Sequence, residues 1–110
     1  MEMTESKKDN VVILRLTGKL DASTSNSLEE KLVSLLDHDE KQFAVDLAHL
    51  TYISSAGLRV LLMAAKRLKN VNGKIVFCLL RENVREVFDI AGFTTIFSLY
   101  PSEEAALKDF

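Results

Sequence analysis

The segment Ser54-Ser55-Ala56-Gly57-Leu58 places two hydroxyls directly ahead of two small residues and an apolar stretch. A serine hydroxyl can act as a nucleophile, as a phosphoryl acceptor or as a helix cap, and its surroundings decide which. A nucleophile needs a base within hydrogen-bond reach, and the chain offers only His38 and His49. His38 falls in a polar stretch and His49 in a turn ahead of the motif. Ser-Ser-Ala-Gly is also not the glycine-x-serine-x-glycine run that marks a hydrolase elbow. The chain is therefore expected not to be an enzyme. Gly18-Lys19 matches only the end of a phosphate-binding loop, because Leu20 stands where Ser or Thr is needed and Ile13 where the first glycine belongs. Cys78, in an apolar run far from either histidine, is read as core, so neither a metal nor another cofactor is expected.

The two remaining roles for the serines meet at a helix start. Backbone N–H groups there are unpaired and carry partial positive charge. A serine can cap them, and a phosphate placed there finds donors waiting. Gly57, lacking a Cβ, would let another surface approach the backbone closely. Local chemistry leaves cap and phosphoacceptor both open, with a cap the commoner role for a serine.

The elements that must position this segment can be read from periodicity. Val11–Leu16 is rich in aliphatic and β-branched residues and reads as a strand. Met1–Ser6 is a possible antiparallel partner across a turn at Lys7-Lys8-Asp9-Asn10. Asp21, Ser23 and Ser27 are alternative caps for a first helix running to about Leu36, and Ser27 with Glu30 matches a capping box. Phe43–Leu47 is a second strand, followed by a polar turn to Ser54. Asp46 either ends that strand or lies near the serines. Leu58, Leu61, Leu62, Ala65 and Leu68 make one face of a second helix, with Arg59, Lys66, Arg67 and Lys69 opposite; the basic cluster reads as a solvated face. Asn72-Gly73 ends it, with Gly73 expected to take the left-handed conformation. Lys74–Leu80, almost wholly apolar, reads as a strand covered on both faces. A third helix over Glu82–Ala91 turns Val84, Val87, Phe88 and Ala91 inward and stops at Gly92. Thr94–Leu99 is expected to be the last strand, and Pro101 the first turn of a terminal helix carrying Glu103 and Glu104. Strand, helix, strand implies a parallel crossover, and hence an α/β fold. It would have a mostly parallel sheet of four to five strands with about four helices, all in one domain over residues 1–110. The serines would lie at the carboxyl end of a parallel strand, where open α/β sheets place functional loops.

Bulk properties narrow the function further. With 110 residues, 47% of them hydrophobic and 27% charged, the composition is that of an ordinary globular chain. A net charge of -2 argues against a direct nucleic-acid binder. No apolar run reaches the roughly 18 residues of a membrane span, and the start lacks the pattern of a signal peptide. The single cysteine has no internal disulfide partner, and the cytoplasm is the expected location.

Four motifs in order carry a resemblance. Asp46-Leu47 followed by Leu50–Leu58 (LTYISSAGL) is similar to the signature of the STAS domain family, especially the bacterial anti-sigma factor antagonists. Gly18-Lys19-Leu20-Asp21 resembles that family's element before the first helix. Asn72–Val76 resembles its glycine turn into the buried strand, and Val84–Gly92 with Phe93 resembles its third helix and following turn. The resemblance implies a STAS-like domain that docks on an anti-sigma factor, itself a serine kinase, and so frees a sigma factor. The kinase would phosphorylate the antagonist and inactivate it, and a serine phosphatase would reset it. In the family pattern aspartate precedes the acceptor serine, and serine or threonine follows it. Matched back from Gly57, the acceptor falls on Ser55. Ser54 replaces the aspartate and is a lesser candidate acceptor, while Ala56 removes the competing hydroxyl. The implied contact surface is Asp21, Ser54, Ser55, Ala56, Gly57, Leu58 and Arg59. STAS-like domains also serve as fixed subunits of stress-signalling or lipid-transport assemblies without a phosphorylation cycle, and that alternative stays open on sequence alone.

Overall fold

The computed structural model describes residues 1–110. Strand β1 (Glu2–Lys8) and strand β2 (Val11–Leu20) form a hairpin across Asp9 and Asn10. Both turn residues have positive φ, 51° and 69°, which suits a two-residue turn between twisted antiparallel strands. Helix α1 (Ser25–Asp37), strand β3 (Gln42–Ile53), helix α2 (Ser55–Lys69), strand β4 (Lys74–Cys78) and helix α3 (Glu82–Ile90) follow. A 3-10 turn (Phe93–Thr95), strand β5 (Leu99–Tyr100) and helix α4 (Glu103–Leu107) complete the chain. The sheet order is β1-β2-β3-β4-β5, antiparallel only between β1 and β2. The α/β class, the mostly parallel five-stranded sheet and the four helices agree with the expectation from periodicity.

Strand alternation divides the core between two faces. Phe43, Val45 and Leu47 of β3 join Val12, Leu14 and Leu16 of β2 under the buried residues of α1, α2 and α3. On the other face Val11, Ala44, Val76 and Cys78 meet Ala106 of α4. Four edge-on phenylalanine contacts, with ring centroids 5.0–5.6 Å apart, tie Phe77, Phe88, Phe93 and Phe97 together at the α3 end. Such pairs add about 0.5–1.5 kcal/mol each beyond their buried area.

Several local expectations are corrected. The polar turn expected before Ser54 is strand, because β3 continues through Ile53 and pairs with β2 as far as Leu20. Ser27 and Glu30 form no capping box; both are exposed inside α1, which the chain enters earlier, at Asp21. Asn72, not Gly73, takes the left-handed conformation, with φ 58°. Gly73 is required for space instead, since a Cβ there would lie 2.5 Å from the Lys41 carbonyl oxygen. Leu79 and Leu80 fall beyond β4, and Ala91 is exposed. Thr94–Leu99 is mostly not strand: Phe93 and Phe97, four residues apart, turn into one core through the 3-10 segment. Pro101 precedes Ser102, which is the actual cap of α4 and accepts a hydrogen bond from Ala105 N at 3.0 Å.

Candidate functional site

The site is built where β2 and β3 end side by side. Leu20 pairs with Ile53, so Asp21 and Ser54 are the next residues out of two neighbouring parallel strands. Ser54 N donates to the Leu20 carbonyl at 2.9 Å, which fixes the two exits to each other. A break in register at Gly18, whose φ of 102° is strained for any other residue, precedes this pairing. Leu20 then points into the core, fully buried.

Ser54 is the N-cap of α2, with φ -102° and ψ 173°, and its hydroxyl accepts from Gly57 N at a long 3.5 Å. The cap is thus Ser54, one residue ahead of Ser55. Ser55 is the first helical residue, and its side chain is exposed. Serine and aspartate are about equally good caps, so Ser54 performs at this position the structural task an aspartate would. First-turn N–H groups have no acceptor inside the helix, and no acidic residue occupies that turn of α2.

Gly57 faces inward rather than toward a partner. A Cβ on it would lie 2.6 Å from Leu20 Cγ and 3.1 Å from Ile53 Cγ1. The surface that approaches this glycine is the chain's own β2. Leu58 is likewise buried, and Ala56 is half-buried. The accessible part of the segment is therefore Ser55 and Arg59, with Ser54 partly covered.

Asp21 opens the turn before α1 in a closed arrangement. Its Oδ1 accepts from Ser23 N at 3.0 Å, Ser23 Oγ at 2.7 Å and Thr24 N at 3.2 Å. Thr24 Oγ1 returns the bond by accepting from Asp21 N at 2.9 Å. This reciprocal pair closes the turn over residues 21–24 that leads into α1, whose N-cap, Thr24, makes no side-chain cap bond to the helix; the Asp-x-x-Thr spacing is the signal that could have located the turn. The hydroxyl of Ser23, then the backbone and Thr24 donors, hold the Asp21 carboxyl below its usual range. Asp21 is both a helix-start residue and a neighbour of the Ser54 exit.

The other sequence candidates lie elsewhere. Asp46 is not beside the serines: it is buried mid-strand on the α4 face, in register with Arg15 and Cys78. Burial, and then Glu103, push its carboxyl up, whereas Arg15 Nε and Nη2, donating to Glu103 at 2.7 and 2.9 Å, hold Glu103 down. This polar cluster under α4 went unseen in the sequence because its members are 15, 46 and 103 in the chain. The Cys78 thiol, buried beside it, is pushed up to about 12, consistent with the core role expected for it. His49 lies within β3 rather than in a turn, and His38 caps the far end of α1 with Nδ1 2.7 Å from the Ser34 carbonyl. No helix is long and apolar enough to cross a membrane.

Residues 3–106 match the model of the STAS domain family. The chain is 44% identical, over its whole length and 95% of the relative's, to BtrV of Bordetella bronchiseptica, a candidate anti-sigma factor antagonist. It is 27% identical, over 90% of its length and 86% of the relative's, to the anti-sigma F factor antagonist of Paenibacillus polymyxa. In fold it is similar to the unphosphorylated anti-sigma factor antagonist SpoIIAA, with a TM-score of 0.88 over 98% of this chain and 95% of that one at 20% identity. With a STAS-family match across nearly all of its length, the chain belongs to the STAS domain family.

Proposed function

We propose that this protein is an anti-sigma factor antagonist of the cytoplasm, switched by phosphorylation of Ser55. The observation that carries the reading is the exposed Ser55 hydroxyl at the first position of α2, one residue beyond the cap, Ser54, and itself making no side-chain hydrogen bond. Ser55 can therefore be modified without removing a structural bond. Full-length similarity to BtrV supports the same reading. So does SpoIIAA, a protein of this fold known in a phosphorylated form.

In the unmodified state the exposed face of Ser55, Arg59 and the Asp21 loop docks on an anti-sigma factor that is also a serine kinase. The Ser55 oxygen attacks the terminal phosphorus of a nucleoside triphosphate bound by that kinase. An O–P bond forms, the bridging P–O bond breaks, the nucleoside diphosphate leaves and the hydroxyl proton passes to a base of the kinase. The phosphate brings about -1.5 to -2 charge at neutral pH. At a helix start this is tolerated, and favourable by about 0.3–1 kcal/mol. Facing a partner it must be desolvated at a cost of several kcal/mol, and each 1.4 kcal/mol is a tenfold loss of affinity. The fold survives and the complex does not. A serine phosphatase restores binding by hydrolysing the ester.

Titration of Ser55→Ala and Ser55→Asp against the purified anti-sigma factor tests the switch. Ser55→Ala is expected to bind like the unmodified protein, and Ser55→Asp at least about tenfold more weakly. Equal affinities would overturn it.

A further inference from the structure

We infer that Arg59 is the internal counter-ion of a phosphate on Ser55, so that modification both adds a dianion and takes a cation out of the docking face. The inference rests on Ser55 being the modified residue.

Residues four apart on a helix lie one above the other on the same face. Helical side chains also lean toward the N-terminus, so Arg59, four residues along α2, is placed to reach an anion on Ser55. Both are exposed. Arg59 is also uncommitted. Arg15 is held by Glu103, Arg67 by Asp37 at 2.8 Å and Arg81 by the Ala48 carbonyl at 2.9 Å, whereas Arg59 makes no ion pair or side-chain hydrogen bond. A guanidinium near the start of a helix opposes the helix dipole, so α2 gains nothing electrostatically from it until an anion arrives. Its planar fork suits phosphate oxygens better than the ammonium of a lysine.

The other charged groups toward this end of the sheet include Lys19 within β2, Asp21 just after it, and Arg81, Glu82 and Arg85 at the start of α3. Arg81 is already bonded, and Asp21 is turned into its own loop by three donors. Lys19 and Arg85 are also unpaired but stand on β2 and α3, so Arg59 is the free cation on the serine's own helix at the i+4 spacing. Before modification the same guanidinium is open to an acidic group of the partner.

The test uses full-length protein carrying phosphoserine at position 55 installed during synthesis, so it does not depend on any kinase recognising the site. The second ionisation of the phosphate, ordinarily near about 6, is followed by phosphorus NMR against pH. With Arg59 present the midpoint is expected to be lower than in Arg59→Gln by about half a unit, the reduced effect of an exposed, screened pair. Arg59→Lys should recover most of that difference. Superimposed curves for the parent and Arg59→Gln would overturn the pairing, as would Arg59→Lys titrating like Arg59→Gln. Failure of the phosphorylation reading would appear separately, as absence of phosphate on Ser55 after reaction with the kinase.

Discussion

Two helices start side by side at the carboxyl edge of this sheet, and they are finished in opposite ways. In the turn that leads into α1 the Asp21 carboxylate gathers three donors and Thr24 returns the bond, so the approach to that helix is charged and closed. At α2 the Ser54 cap is neutral, its bond is a long 3.5 Å, and the next hydroxyl, Ser55, is in solvent. The α1 start already holds its negative charge; the α2 start holds none and has room for one. Placing a fixed anion in one and a removable anion in the other is what a reversible charge switch needs, since the fold then tolerates both states.

Four substitutions probe that contrast. The largest effect is expected at the floor of the α2 start. In Gly57→Ala the helix-propensity gain of about 0.5–1 kcal/mol is outweighed by overpacking against buried Leu20, typically about 1–3 kcal/mol. Urea unfolding should show a lower midpoint; an unchanged or raised one would mean that Leu20 moves aside freely. Asp21→Ala should come next, because it orphans three donors where Ser54→Ala orphans one. Its effect should also depend on pH. The folded carboxyl titrates below its unfolded value, so its stabilisation is present above about pH 4 and disappears as pH falls through the folded value. Parent and Asp21→Ala stabilities should therefore converge in acid, and parallel pH profiles would contradict the closed start. Ser54→Ala is expected to cost about 0.5 kcal/mol, the low end for a cap with so long a bond. The smallest change belongs to Ser55→Asp, a gain of about 0.3 kcal/mol from the helix dipole at an exposed position. A clear loss of thermal stability in Ser55→Asp would show that the α2 start is not open to charge.

Much of the frame was legible because its signals are local. The apolar stripe of α2 and the buried run of β4 follow from side-chain period alone. What escaped were features set by partners distant in the chain. The second half of β3 reads as a turn because His49, Thr51 and Tyr52 are exposed and only Leu50 and Ile53 are buried there, and its strand form is set by pairing with β2, distant in the chain. The segment after α3 reads as a strand, yet Phe93 and Phe97 have helical spacing and turn into the same aromatic cluster. At the site, the serines' position at a helix start could be read, but the division of labour between them could not. Which serine caps depends on where Leu20 fixes the exit of β3, and that contact joins residues 20 and 54. Gly57 was misjudged for the same reason: a glycine looks alike in sequence whether it admits a partner or its own core.

The central claim is that the open hydroxyl, not the capping one, receives the charge. It is tested most directly by reacting the protein with its anti-sigma factor and ATP and locating the phosphate by fragmentation mass spectrometry. A single phosphate on Ser55, absent in Ser55→Ala and retained in Ser54→Ala, is the expected result. Phosphate on Ser54, or none on either serine, would contradict it.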